Sequence, residues 1–116
     1  MTVVVIQPHV STFPNPISFE PGQSVQLGRR DTEYGGWIFV TTVDGSEGWA
    51  PEQYIASTDN PSVGIARCRY NAFELDTQLH EQLDVISELN KWYLARNRAG
   101  REGWIPMQTV APVRSH

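Results

Sequence analysis

Only one cysteine, Cys68, occurs in the 116 residues, so no internal disulfide can close and the fold must rest on buried apolar surface. Long hydrophobic runs are missing as well. The run Val3-Val4-Val5-Ile6 follows no basic residue and meets Pro8 at once. It is too short for a bilayer span or the core of a secretion signal and reads as a strand. Without a signal or a cysteine pair, the expected compartment is the reducing cytoplasm, and no membrane partner is expected. The histidines His9, His80 and His116 are scattered, with no cysteine or histidine at ligand spacing, so no metal site is expected. No glycine-rich phosphate loop, nucleophile elbow or carboxylate pair stands out, which leaves no catalytic residue and no cofactor to assign. Arg67 and Arg69 flank Cys68 with two cations that favour a thiolate, but no base is placed beside it. A small residue filling a strand position is the simpler reading of Cys68.

Positive charge is scarce in the first half. Residues 1–58 hold Arg29 and Arg30 against Glu20, Asp31, Glu33, Asp44, Glu47 and Glu52, a net of −4, whereas the remainder balances seven basic residues with seven acids. Nonspecific nucleic-acid binding needs several basic groups on one surface, so nucleic acid is not an expected partner. An acidic half and an arginine-bearing half could dock on one another, but such charges are more often a solvated face. What is present is a folded chain's composition: 40 % apolar residues, 19 % charged, and four tryptophans.

Those tryptophans reveal a duplication. Trp37, Gly45, Glu47, Gly48, Trp49, Pro51 and Gln53 recur as Trp92, Gly100, Glu102, Gly103, Trp104, Pro106 and Gln108, at a constant offset of 55 and without a gap. The polar, proline-containing stretch Ala56 to Ser62 supplies a boundary. The expected division is a first copy over 1–58, a short linker over 59–62 and a second copy over 63–116.

Each copy reads as β-structure. Trp37 to Val43 is aromatic and β-branched and runs into Asp44-Gly45, a strong hairpin signal, after which Trp49 opens the return strand. In the second copy Trp92 to Arg96 runs to Ala99-Gly100 and returns through Gly103-Trp104-Ile105, preceded by an alternating strand over Asp84 to Leu89. Leu75 to Leu89 is the one stretch that invites a helix. Its β-branched Val85-Ile86, and the Pro21-Gly22 in its repeat partner, argue for a diverging turn instead.

Gly-Trp, a hairpin, then Glu-Gly-Trp-x-Pro-x-x-Tyr resembles the second half of a Src-homology-3 (SH3) domain. Ala66 to Ala72 resembles the Ala-Leu-Tyr-Asp-Tyr opening of that family, with Asp84 fitting its Gly-Asp turn, and Ile17 to Gln23 resembles its Leu-Ser-Phe-x-x-Gly-Asp turn. Arg29 to Gly36 then stands as a long n-Src-type loop. The pattern as a whole resembles variant tandem SH3 proteins of bacteria more than signalling SH3 domains. The resemblance implies an all-β fold of two small five-stranded SH3-like barrels in tandem and a non-enzymatic module that binds extended, proline-containing peptides in aromatic slots.

Carried over position by position, the resemblance implies peptide contacts from Trp37, Trp49, Pro51, Gln53 and Tyr54 in the first copy. The family's two opening tyrosines fall there on Gln7 and His9, of which His9 is a further candidate peptide contact, as a groove or core residue. Tyr70, Trp92, Trp104, Pro106 and Gln108 are the corresponding residues of the second copy, where Cys68 and Thr109 replace two tyrosines. The acidic specificity position of the first copy falls near Pro16, in the acid-free segment Ser11 to Pro16, so Asp31 and Glu33 of the long loop are its candidate substitutes. Glu74 and Asp76 fill that role in the second copy, beside Thr77.

Plainer structural roles stand beside these. Trp49 and Trp104 fit a barrel edge as well as a ligand surface. Pro51 and Pro106 suit the end of a strand and the start of a 3₁₀ turn, and Tyr54 suits a core anchor. The resemblance places Trp37 and Trp92 where the family exposes an indole, and exposed Trp37, Tyr54 and Trp92 would favour peptide binding. Their burial between the two barrels would favour a structural or regulatory unit with vestigial grooves, and a continuous basic face through Arg67, Arg69, Arg96 and Arg98 would favour a nucleic-acid or small-ligand binder. The partner is expected to be a protein or peptide.

Overall fold

In β1 (Thr2–Val5) the side chains of Val3 and Val5 are fully buried while Thr2 and Val4 are half-exposed, the two-residue period of a strand with one core face. The computed structural model describes residues 1–11, 15–33 and 35–113. The middle of the Ser11 to Pro16 segment, Tyr34 of the long loop, and Arg114 and His116 lie outside the described residues. The other strands are β2 (Ser18–Phe19), β3 (Ser24–Arg30), β4 (Trp37–Thr41), β5 (Glu47–Pro51), β6 (Ile55–Ser57), β7 (Val63–Ala66), β8 (Tyr70–Asn71), β9 (Gln82–Leu89), β10 (Trp92–Arg96), β11 (Glu102–Pro106) and β12 (Val110–Pro112). Single 3₁₀ turns follow Pro51 and Pro106, at Glu52–Tyr54 and Met107–Thr109. No α-helix occurs among the described residues, and the fold is all-β with antiparallel, SH3-like sheets.

Two five-stranded sheets form, in the orders β11-β10-β9-β1-β12 and β5-β4-β3-β7-β6, with a small β2-β8 pair besides. The first strand of each copy therefore lies in the sheet of the other. β1 runs between β9 and β12, and β7 runs between β3 and β6. The compact units are accordingly residues 13–72, and residues 1–12 together with 73–116. This departs from the expected division at 59–62. Thr58 to Ser62 is the turn of the β6–β7 hairpin: the Thr58 hydroxyl lies 2.9 Å from the Asn60 carbonyl oxygen and 2.8 Å from that of Val63, and Asn60 Oδ1 accepts the Ser62 N–H at 2.9 Å. Polar, proline-bearing composition marks a tight turn as readily as a linker.

Each unit has its own core. Val3, Val5, Leu75, Leu83, Tyr93, Ala95, Ile105 and Val110 form one cluster, while Ile17, Phe19, Val25, Ile38, Val40, Ala50 and Ala66 are buried in the other unit. The hairpins turn at Gly45 and Gly100, both at φ +86°. In the second, Asn97 Oδ1 accepts the backbone N–H groups of Ala99 and Arg101 at 3.0 Å.

The diverging turns are equivalent but differ in residue. Gly22 stands at φ +88° and donates its N–H to the Ala66 carbonyl. His80 stands at φ +71° and donates to the Val5 carbonyl. Asp84, expected at this turn, instead lies inside β9 opposite Thr2. A left-handed conformation costs an L-residue roughly 1–2 kcal/mol that glycine avoids. His80→Gly is therefore expected to raise the thermal midpoint of its unit by several degrees, as followed by circular dichroism, because the exposed ring contributes little in return.

Candidate functional site

Pro51 closes β5 with φ −65° and sets up the 3₁₀ turn that carries Tyr54. Tyr54 is half-buried, and its ring meets that of Tyr70 at 5.8 Å between centroids, 70° between planes, an edge-to-face contact. The Tyr70 hydroxyl donates to the Trp49 carbonyl at 3.1 Å, and the Arg67 N–H donates to the Tyr54 carbonyl at 2.8 Å. Tyr70 also packs against Phe19, with centroids 5.3 Å apart. Burial, with a smaller contribution from neighbouring Cys68, holds the Tyr54 phenol above its ordinary value. Burial likewise pushes the Cys68 thiol up, the direction opposite to that of a thiolate, and the two flanking arginines are both exposed.

Trp37 faces Pro51 across the β4–β5 ladder and is only 6 % exposed. It is a packed indole, not the open one the resemblance implied. Trp49 is half-buried, edge-on to Phe39 at 5.2 Å, with the Arg29 guanidinium 4.7 Å from the Phe39 ring centre and 5.3 Å from that of Trp49. Gln53 is exposed. In the long loop, Asp31 Oδ1 accepts the Glu33 N–H at 2.8 Å, and Glu33 is exposed. Arg29 and Arg30, expected in that loop, belong to β3.

The other unit presents a second constellation. Half-buried Trp92 meets the His9 ring edge-on at 5.9 Å and 83°. His9 Nε2 lies 2.7 Å from Glu74 Oε1, and the His9 backbone is clamped to Thr77: its N–H donates to the Thr77 hydroxyl and its carbonyl accepts the Thr77 N–H, both at 2.9 Å. Asp76 Oδ1 accepts the Ser11 N–H at 2.8 Å. Pro106 is buried opposite Trp92, and Thr109, where the family carries a tyrosine, is buried with its hydroxyl donating to the Pro106 carbonyl at 2.7 Å. Trp104 is 5 % exposed, while Gln108 is exposed.

Strand exchange thus re-sorts the site residues. His9 of the first copy stands with Trp92 and Glu74 of the second, and Tyr70 of the second stands with Tyr54 and Trp49 of the first. Position-by-position reading within one copy could not foresee this crossing. It also missed Phe39 and Arg29, for which the alternation of Phe39 with Trp37 along β4 was the available signal.

Residues 2–57 match the family model described as variant SH3 domain. The first copy is an SH3 domain sequence. An alignment over 61 residues, covering 51 % of the chain, is 38 % identical to the SH3 and PX domain-containing protein 2A of Mus musculus, and equally to that of Homo sapiens; it spans 5 % of the length of each. No solved structure gives a significant match. The SH3 segment includes β1, which the structure seats in the unit 1–12 with 73–116. Among the described residues no three His, Cys, Asp or Glu side chains gather as metal ligands, and no helix is long and apolar enough to cross a membrane.

Proposed function

We propose that this SH3 chain is a non-enzymatic protein-interaction module that holds an extended, proline-containing peptide segment against its aromatic side chains. The observation that carries the reading is the gathering of rings at each proline-led 3₁₀ turn: Tyr54 beside Tyr70 after Pro51, and Trp92 beside His9 opposite Pro106. Trp92 and Tyr54 are only half-buried. A polyproline II segment suits such walls because it is stiff before it docks. Glu74 and Asp76 already engage His9 and Ser11, so an arginine-led ligand is disfavoured in this unit. A mixed apolar and proline sequence is the better fit.

Titrating the isotope-labelled chain with a proline-rich and mixed peptide library tests this, with the four indole N–H signals followed by NMR. A saturable shift of Trp92 is expected. If no indole moves, the tandem is a structural unit with vestigial grooves, a reading favoured by the burial of Trp37 and Trp104. The basic-face alternative has less behind it. Arg69 and Arg96 face Glu20 and Glu102 in ion pairs.

A further inference from the structure

The two exchanged strands occupy equivalent places with side chains of different size. Val3 lies opposite Leu83 and Pro112, and Gly64 opposite Val25 and Ser57; Val5 lies opposite Val110, and Ala66 opposite Ile55. The diverging turns confirm the equivalence, since Val5 and Ala66 each accept the N–H of the positive-φ residue and donate to the carbonyl of the residue after it. Val3 thus answers to Gly64, and Val5 to Ala66.

Their surroundings are not interchangeable. A Cβ at Gly64 would overlap the Cγ2 methyl of Ile55, which branches at Cβ and cannot swing away without a rotamer change, and would stand 3.3 Å from Leu27 Cδ2 and 3.4 Å from the Ala56 carbonyl oxygen. A valine there is larger still. Val3 and Val5, by contrast, are both 0 % exposed among Leu83, Tyr93, Ile105 and Val110, where glycine and alanine would leave a void. We propose that this size difference selects the exchanged pairing: β1 is excluded from the 13–72 unit by the Gly64 place, and β7 underfills the other unit. The two SH3 copies are therefore one obligate folding pair, and neither aromatic constellation can be completed by one copy alone. The proposal stands on packing and does not depend on what the aromatic sites bind.

The test uses the full chain. Gly64→Val is expected to lower the thermal midpoint of the 13–72 unit by on the order of 10 °C or to unfold it; an unchanged midpoint overturns the proposal. A second variant exchanges the sizes outright: Val3→Gly, Val5→Ala, Gly64→Val and Ala66→Val together. This chain is expected to fold, each copy now closing on its own first strand, because each place again receives the size it fits. If it remains unfolded, the proposal fails. A protease site in the Thr58 to Ser62 turn distinguishes the two closures. The cut natural sequence is expected to elute as one particle, since each unit holds strands from both pieces. Separation into two folded pieces overturns the exchange.

Discussion

Trp37→Ala is expected to remove the cooperative unfolding transition of the 13–72 unit at ambient temperature. The indole is 6 % exposed, in a strand whose neighbours Ile38 and Val40 are also buried, and faces Pro51, itself among the fully buried side chains. Truncating a buried tryptophan costs about 3–5 kcal/mol. A barrel of about 60 residues sits near the lower end of domain stabilities, about 5 kcal/mol. The loss is therefore comparable to the whole margin. Methyl NMR signals of Val25 and Val40 should collapse to unfolded positions while those of Leu83 and Ile105 are better preserved. Native signals at Val25 and Val40 would show that Trp37 is a surface residue after all.

Trp92→Ala has the opposite profile. Trp92 is half-buried at the end of β10, its ring against His9 and its backbone against Pro106, so its removal opens a surface site with less disturbance of the core. Central aromatic anchors of peptide sites cost about 2 kcal/mol or more when truncated, roughly thirtyfold in affinity. Affinity for a peptide selected from the library should fall by at least tenfold in calorimetry, with the thermal transition retained. Ser87→Ala, at an exposed position of the same copy outside the candidate contacts, serves as the comparison and should change affinity little. Equal affinity in the Trp92 variant removes this constellation from the binding site.

Sequence pattern carried the fold class a long way. The duplicated tryptophans, glycines and prolines located both hairpins and both 3₁₀ turns, because these residues act through backbone conformations that local sequence dictates. The exchange of β1 and β7 was not legible. Both segments are short, apolar and β-forming, so periodicity admits either pairing, and the choice rests on Gly64 against Ile55 and Leu27, contacts that folding alone creates. The turn at Thr58 to Ser62 was read as a linker because one composition serves both purposes. Family position alone likewise mis-set the exposure of Trp37, since burial depends on what the neighbouring loop and strands cover.

The crossing of strands underlies the composite sites, the revised unit boundaries and the roles given to His9 and Tyr70. Nuclear Overhauser contacts from the Val3 methyl groups in the full chain test it most directly. The structure predicts contacts to the Leu83 methyl groups, its ladder partner in β9. Contacts to Val25 instead, the residue that Gly64 faces in β3, would mean that the first copy closes on its own strand and would contradict the account.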